Sequence, residues 1–331
     1  MKKLYLVTGA SGHLGSCIVK ELLNRKENVR VLVLPGEEKY IPESVEIVSG
    51  NIVDKDTLHD FFKRDDYDYL TLIHCAAIVC IESKLNPMVW KVNVDGCRNV
   101  MELALENKVD RVIYVSSVHA LEELEYPEII VESKDFDKDK IRGQYAKSKA
   151  EAGKLVLEFA DKGLNVSIVH PSGIIGPGDL RNTNNSVNTL RGMYKGTIPV
   201  AIDGGYDFVD IRDVVEGILS CEEKGRTGET YLLSNRYITV EEMLKIVKEY
   251  KGKNPSCMKI PGVFVDIAAP ISEWLSVNVF HSKPMFTPYA ISTLRTNCRF
   301  SYVKAEKELG YHPRDLKQTV YDTLDDIKQT G

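Results

Sequence analysis

Tyr145 and Lys149 are spaced so that they can act together on a proton. The segment 145–149 opens a predicted helix, and side chains four residues apart lie on one face of a helix. An ammonium group beside the phenol would lower the pKa of Tyr145 from its ordinary value of about 10. Tyr145 would then exchange a proton with a substrate alcohol or carbonyl oxygen at neutral pH. Because an exposed helical turn with a packed tyrosine has the same spacing, the pair needs support from other residues.

A glycine-rich turn near the amino terminus predicts a phosphate site. It lies at residues 8–15, between a short apolar strand and a helix that begins near His13, and has the spacing G-x-x-G-x-x-G. Gly9 allows a tight turn, Gly12 lets the backbone approach a pyrophosphate, and Gly15 lets helix and strand pack closely. An ordinary strand-to-helix loop is the alternative, but both flanks favour a nucleotide.

Strands and helices alternate through the first half of the chain. Strands are predicted at 3–7, 29–34, 45–48, 69–74, 111–116 and 166–170, and helices from 13, at about 56–63, at 89–107 and at 145–162. This order predicts an α/β fold of the Rossmann type, a doubly wound parallel sheet with its ligand at the carboxyl ends of the strands.

The second half of the chain is less regular. Residues 180–205 resemble a substrate-side insertion, 208–221 and 230–233 a helix and a strand that rejoin the sheet, and 239–250, 263–276 and 304–309 a small, mostly helical lobe. We therefore expect a cofactor-binding domain of 1–171 plus about 207–234. The substrate lobe would comprise about 172–206 plus 235–331.

Composition narrows the possible partners and compartments. The net charge of -5 and the lack of a dense Lys and Arg run make nucleic acid an unexpected partner. Seven scattered cysteines without a C-x-x-C pair indicate reduced thiols, with neither a disulfide framework nor a metal site, and the chain is expected to be cytoplasmic. The apolar stretch 263–280 contains Asp266, Pro270 and Glu273, so a membrane span is not expected.

The chemistry-bearing residues together resemble a known family. Ser116 and Ser117 end the fifth predicted strand, at the sheet edge where the nucleotide should lie. Residues 8–15 with Ser117, Tyr145 and Lys149 are similar to the extended short-chain dehydrogenase/reductases, which include the NAD-dependent epimerase/dehydratases. Further matches lie at 74–77, 93–100, 170–179 and 207–214 and extend the resemblance over nearly the whole chain.

The resemblance implies a role for each site residue. Ser117 would be the catalytic hydroxyl, Tyr145 the acid/base, and Lys149 its electrostatic and ribose-binding partner. The cofactor would contact Gly9, Ser11, Gly12, His13, Leu14, Gly15, Leu34, Asn51, Ile52, Ala76, Ala77, Asn93, Tyr145, Lys149, Pro171, Ser172 and Gly173.

Several of these positions have two readings. Asn51 and Ile52 would flank adenine, although the family more often has Asp where Asn51 stands. His13 also fits a variable position of the motif. Asn93 either supports a proton relay or anchors its helix, and His119 either touches substrate or is structural.

The cofactor is expected to be NAD, with NADP as the alternative. Leu34 stands where an acidic side chain binds the adenosine 2′-hydroxyl in NAD enzymes, or where an arginine neutralises the 2′-phosphate in NADP enzymes. Glu37 and Glu38 follow and would repel a phosphate, whereas Lys39 would attract one. The two carboxylates favour NAD.

The substrate-side residues depart from the nucleotide-sugar pattern. Tyr206 stands where those family members typically have a phosphate-binding arginine, and residues 172–177 lack their usual asparagine. The chain looks more like the dihydroflavonol reductase and 3β-hydroxysteroid dehydrogenase branch, whose members act on ketones or secondary alcohols. The apolar stretch 263–280 would line such a pocket or pack in a core.

Three functions therefore remain open at this point. The first is an NAD(P)-dependent oxidoreductase for a small, largely apolar ketone or secondary alcohol, with Tyr145 as acid/base. The second is a nucleotide-sugar epimerase or dehydratase with recycled NAD, and the third a non-catalytic nucleotide sensor of the same fold. The resemblance also implies a homodimer, formed through the helices at 89–107 and 145–162.

Overall fold

The computed structural model describes residues 1–279 and 287–330. Its strands are β1 Lys3–Thr8, β2 Asn28–Val33, β3 Glu46–Ser49, β4 Tyr69–His74, β5 Arg111–Val115, β6 Val166–Pro171, β7 Gly173–Ile175, β8 Ala201–Ile202, β9 Gly205–Asp210, β10 Thr230–Leu233, β11 Arg236–Thr239 and β12 Lys259–Ile260. Seven of them form one sheet in the order β3-β2-β1-β4-β5-β6-β10, and every neighbouring pair is parallel. The predicted doubly wound parallel sheet is confirmed.

Helices cover both faces of this sheet. They are α1 His13–Asn24, α2 Pro87–Trp90, α3 Cys97–Glu106, α4 Gln144–Asp161, α5 Asn185–Lys195, α6 Ile211–Lys224, α7 Val240–Tyr250, α8 Gly262–Asn278, α9 Pro288–Arg295, α10 Val303–Leu309 and α11 Leu316–Thr330. Helices α3 and α4 bury one apolar cluster against the sheet, while α1, α6 and α10 bury another on the opposite face. Buried apolar area on both faces explains why the strands read as continuous apolar runs.

The helix predicted at 56–63 is wrong. Only Lys55–Leu58 forms a 3-10 turn. Arg30 of β2 is buried, and its guanidinium donates to the carbonyl oxygens of Phe61 and Lys63. Beyond Leu58 the backbone runs in turns, in which the Phe61 N–H donates to the Leu58 carbonyl oxygen (3.1 Å) and the Lys63 N–H to that of Asp60 (3.4 Å).

The helix predicted at 89–107 is interrupted by a π-helical segment at Lys91–Gly96, between α2 and α3. Within this π-helical segment, the Asn93 side chain binds the backbone of Ile78. The Ile78 N–H donates to Asn93 Oδ1 (2.8 Å), and the Ile78 carbonyl oxygen accepts from Asn93 Nδ2 (3.0 Å). Gly96 closes the segment where a Cβ would lie 2.7 Å from Ile52 Cγ1. The wide turn therefore follows from close packing on both sides.

The helix predicted at 208–221 begins three residues late. Gly205–Asp210 is strand β9, which pairs with β7 and β11 in a separate three-stranded sheet. Asp210 ends this strand and its carboxylate accepts from the Arg212 N–H at 2.8 Å, which starts α6 at Ile211. The predicted return to the main sheet at Thr230–Leu233 is confirmed as β10, which pairs with β6.

The substrate-side region contains more helix than the sequence predicted. Helix α5 lies inside the stretch read as an irregular insertion, and neither α9 nor α11 was predicted. Helices α5, α7 and α11 bury a third apolar cluster together with β7, β8 and β11. The proposed division of the chain into a cofactor domain and a substrate lobe stays a prediction.

Helix α8 matches the predicted helix at 263–276, but neither expected use of its apolar side chains holds. Val263, Phe264, Ile267 and Trp274 are 59–68% exposed, so they do not pack in a core, and none of them lines the cavity at His119 that is described below. The helix contacts mainly α9, where Arg295 pairs with Asp266 at 2.6 Å. Phe280, the last residue of the expected apolar set, lies outside the described residues. Within the described ranges, no helix is both long and apolar enough to span a bilayer.

Candidate active site

The glycine turn is built by three close backbone approaches. Gly9 has φ +71°, and a Cβ there would lie 2.8 Å from the backbone nitrogen of Ala76. A Cβ on Gly15 would lie 2.1 Å from the carbonyl oxygen of Gly9. Thr8 completes the packing, because its hydroxyl accepts from the Ala76 N–H at 3.2 Å. Side chains are therefore excluded where the turn meets α1 and the loop after β4.

The amino terminus of α1 fits the pyrophosphate of a dinucleotide. Gly12 is its N-cap and supplies no side-chain hydrogen bond, and the first turn contains no acidic residue. The backbone N–H groups and the positive end of the helix dipole therefore remain available to an anion. Beyond the turn, Ala77 is half-buried, and a Cβ on Gly12 would meet only the Gly9 carbonyl oxygen at 3.3 Å.

His13 links the turn to the substrate-side segment. Asn184 Nδ2 donates to His13 Nδ1 at 3.0 Å, which leaves Nε2 to donate to the Pro177 carbonyl oxygen at 3.1 Å. Burial lowers the pKa of His13, so the neutral ring keeps both bonds at neutral pH. Both ring nitrogens are used within the protein, and His13 is therefore more than a variable position of the motif.

The expected adenine-side residues lie at the ends of β2 and β3. Leu34 is 45% exposed just beyond β2. Asn51 Oδ1 accepts from the Val53 N–H at 3.2 Å, and the buried Ile52 side chain packs against Gly96. The adenine contacts of Asn51 and Ile52 remain predictions.

Ser117, Tyr145 and Lys149 are buried together beyond the carboxyl end of β5. The hydroxyl of Ser117 accepts from the His119 N–H at 3.2 Å. Lys149 Nζ donates to the carbonyl oxygen of Val115, the last residue of β5, at 2.8 Å. The predicted three residues thus converge, while their catalytic roles remain a prediction.

The expected lowering of the tyrosine pKa is wrong for the protein alone. Burial raises the pKa of Tyr145 to about 12, and the neighbouring Ser117 hydroxyl opposes this only in part. Burial lowers the pKa of Lys149 to about 8. Desolvation dominates both groups because each is fully enclosed and the ammonium is bound to Val115. Tyr145 is therefore a neutral phenol at pH 7, the form that donates a proton.

Asn93 serves as an anchor. Its side chain bonds the Ile78 backbone in both directions and donates from Nδ2 to Ser148 Oγ at 2.9 Å. Ser148 in turn donates to the Tyr145 carbonyl oxygen at 2.7 Å. Asn93 thereby fixes the loop after β4 to the helix that carries Tyr145 and Lys149.

The turn after β6 packs tightly on β9. A Cβ on Gly173 would lie 2.9 Å from the Asp207 carbonyl oxygen, and Ser172 is buried beside it. Burial raises the pKa of Asp207 to about 7, and the Asn235 N–H, which donates to Asp207 Oδ1 at 3.1 Å, opposes this only in part. Pro171 ends β6, so this turn lies at the sheet edge where the nicotinamide contact is predicted.

His119 stands between Tyr145 and a cavity. Its ring packs edge-on against Tyr145, with centroids 5.9 Å apart, and its Nε2 is 2.9 Å from the Tyr206 hydroxyl. Burial lowers the pKa of His119 to about 4, so the imidazole is neutral at pH 7. The Tyr206 hydroxyl therefore donates this bond if Nε2 carries the lone pair.

The cavity beyond His119 has a volume of about 250 Å³. Its walls come from α5, β11, α7 and α9, and most of their contributing side chains are aliphatic or aromatic. Among the described residues that line it, none is Lys, Arg, Asp or Glu. The surface of this cavity is therefore largely apolar, with isolated hydroxyl, amide and imidazole groups.

Sequence reasoning missed two contributors to this region. Tyr289 of α9 lines the cavity and lies against Gly143, where a Cβ would be 2.3 Å from its ring. Arg181 reaches back from the substrate-side segment to the glycine turn and donates to the Ser11 carbonyl oxygen at 3.3 Å. Each contact joins residues more than 100 positions apart in the sequence, so no local sequence pattern predicts either contact.

Comparison with known proteins agrees with this geometry. Residues 5–234 match the NAD dependent epimerase/dehydratase family, and the chain belongs to that family. This confirms the resemblance to the extended short-chain dehydrogenase/reductases, a family of enzymes that act on small molecules.

Individual relatives match over almost the whole chain. "Sterol demethylase protein B" of Methylococcus capsulatus is 29% identical, with 98% of each chain covered. A "Putative dihydroflavonol 4-reductase" of Synechocystis is 27% identical, over 98% of this chain and 94% of the relative. The solved structure of gox2253 has a TM-score of 0.83 at 32% identity and covers 99% of this chain and 98% of its own. The expected branch of the family is confirmed by the second of these.

The glycine turn generates a paired prediction. Gly12→Ala should raise the dissociation constant for NADH at least about tenfold at an unchanged melting temperature, because its Cβ enters the anion cradle and meets little else. Gly15→Ala should lower the melting temperature as well, because its Cβ collides with Gly9. NADH fluorescence titration and thermal melts measure both, and normal NADH binding by Gly12→Ala would contradict the assignment of the cradle.

Proposed function

We propose that this protein is an NAD(P)-dependent oxidoreductase that transfers a hydride between nicotinamide and a ketone or secondary alcohol of a small, largely apolar substrate. The observation that carries the proposal is the uncharged cavity lined by His119, whose ring packs on its other side against Tyr145. A nucleotide sugar would bring a diphosphate into a space that offers no side-chain cation among the described lining residues. Burying that charge without a partner is costly, whereas an apolar ketone loses little on entry.

The Tyr206 and His119 pair supports the apolar reading. Tyr206 occupies the position at which the nucleotide-sugar enzymes typically have an arginine, and its hydroxyl is bound to His119 at 2.9 Å. Both side chains are uncharged at neutral pH, since burial lowers the pKa of His119 and raises that of Tyr206. The pair presents ring faces and a satisfied hydrogen bond to the cavity, and these suit an apolar ligand.

Each of the three residues at the sheet edge has a separate role in the proposed reaction. When bound, the nicotinamide supplies or accepts the hydride. Tyr145 gives its phenolic proton to the substrate oxygen during reduction, and the Ser117 hydroxyl polarises the same oxygen. Lys149 holds a positive charge beside the site at pH 7, which favours the phenolate that Tyr145 becomes after donation.

The cofactor preference is proposed to be NAD. Ser11 Oγ donates to Glu37 Oε2 at 2.6 Å. This hydrogen bond holds the Glu37 carboxylate in place three residues after Leu34. A carboxylate near the end of β2 is suited to accept the adenosine 2′-hydroxyl.

Tyr145→Phe tests the acid/base role. Loss of the phenolic proton should lower kcat for ketone reduction about 1,000-fold while the NADH dissociation constant stays within about twofold. Ser117→Ala and Ser116→Ala form a matched pair of neighbouring serines, of which only the former should lose activity strongly. Turnover by Tyr145→Phe close to that of the unaltered protein would refute the mechanism.

The pH dependence of reduction follows from the two buried groups. Tyr145 stays protonated up to a pKa of about 12, so it does not limit the reaction. Lys149 loses its proton, and the site loses a positive charge, as pH rises through about 8. The kcat for ketone reduction should therefore be level near neutral pH and fall above about 8. A stopped-flow pH profile measures this, and a reductive kcat that stays constant through the pKa of Lys149 would contradict it.

A further inference from the structure

The segment from Pro177 to Asn184 folds back over the glycine turn. His13 binds both ends of it, at the Pro177 carbonyl oxygen (3.1 Å) and at Asn184 Nδ2 (3.0 Å). Asp179 holds the segment in shape, because its carboxylate accepts from the backbone N–H groups of Thr183 (2.9 Å) and Asn184 (3.0 Å). Arg181 therefore projects from a well-braced loop.

Arg181 lies where the adenosine end of a dinucleotide is expected. Its Nη1 is 3.0 Å from Glu37 Oε1 and donates to the Ser11 carbonyl oxygen at 3.3 Å. Its guanidinium also lies over the Tyr40 ring, 4.4 Å from the centroid. The Arg181 and Glu37 side chains are only 28% and 22% exposed, so this pair is less screened by solvent than a surface pair.

The pair places both signs of charge at one position. Glu37 can accept a 2′-hydroxyl, whereas a guanidinium fixed by an aromatic face can bind a 2′-phosphate in two parallel hydrogen bonds. Because Arg181 offsets the carboxylate, Glu37 repels a phosphate less than its sequence context implies. Lys39 is the cation that the sequence analysis considered. Its side chain is exposed, with Nζ 5.1 Å from the centroid of the Tyr40 ring.

We infer that Arg181, delivered from the substrate-side segment, is a cofactor-specificity residue that lets the 2′-phosphate of NADP(H) bind beside Glu37. The inference rests on the dinucleotide site of the proposed function. It narrows the proposed preference for NAD over NADP in the unaltered protein, because Glu37 and Arg181 have opposite effects on a 2′-phosphate. The two charges act on the same ligand position, so each can be removed separately.

The test measures binding of NADH and NADPH to the full chain by fluorescence titration, without substrate. Arg181→Gln should raise the dissociation constant for NADPH about tenfold and that for NADH by less than about threefold, since one charge-assisted contact to the phosphate is lost. Glu37→Gln should lower the NADPH constant relative to the NADH constant by a similar factor. Arg181→Lys keeps the charge and should recover part of the NADPH affinity.

Neighbouring residues of the same charge provide the controls. Lys39→Gln and Glu38→Gln should change the ratio of the two dissociation constants by less than about twofold. An unchanged ratio in Arg181→Gln at an unaltered melting temperature would overturn this inference alone, as would an equal effect of Lys39→Gln. Failure of the unaltered protein to bind either dinucleotide would overturn the proposed function and this inference with it.

Discussion

The approach of α1 to the glycine turn is the constraint on which the remaining site depends. A Cβ on Gly15 would come within 2.1 Å of the Gly9 carbonyl oxygen, so the helix reaches this position only without a side chain there. The same turn presses Gly9 against Ala76, at the end of the neighbouring strand β4. The same packing therefore positions both the amino terminus of α1 and the loop after β4.

His13 carries this constraint into the substrate side. It is the first residue of α1, and Asn184, which it contacts, is the N-cap of α5. Asn184 accepts from the Ser186 and Val187 N–H groups and donates to both His13 and the Ile174 carbonyl oxygen. Every hydrogen-bonding position of this amide is therefore used. Since α5 forms a wall of the cavity, these hydrogen bonds tie the amino terminus of α1 directly to that wall.

Apolar runs bounded by turns predicted the sheet well, because strands buried on both faces leave a strong local signal. Strands β4 and β10 match their predicted bounds, and helix α4 differs by one residue at each end. The helix predicted at 56–63 failed because this segment folds into successive turns closed by hydrogen bonds between residues three apart, with the buried Arg30 of another strand bound to the end of the segment. The sequence correctly identified α8 as an apolar helix. Hydrophobicity alone does not show whether other elements cover such a helix, and in the structure its apolar side chains are exposed.

For the site, as for the fold, features with a local sequence signal were predicted and features that depend on distant contacts were not. The spacing along one helix singled out Tyr145 and Lys149, whereas Ser117 was chosen over its neighbour Ser116 through the resemblance to the family. The electrostatics were not predictable, since the pKa values of Tyr145 and Lys149 depend on how completely the folded protein excludes water from them. Arg181 and Tyr289 were also beyond reach, because their contacts join distant segments.

Net hydride transfer to an apolar carbonyl is the central claim, and isotope transfer measures it directly. The protein would be incubated with NADH deuterated at the transferable C4 position and a panel of apolar ketones that includes steroids and flavonoids, and the products analysed by mass spectrometry. We predict a released secondary alcohol with deuterium on its carbinol carbon and one NAD formed for each product molecule. Conversion of a nucleotide sugar with no net change in the cofactor, and no deuterated alcohol from any ketone, would contradict the account.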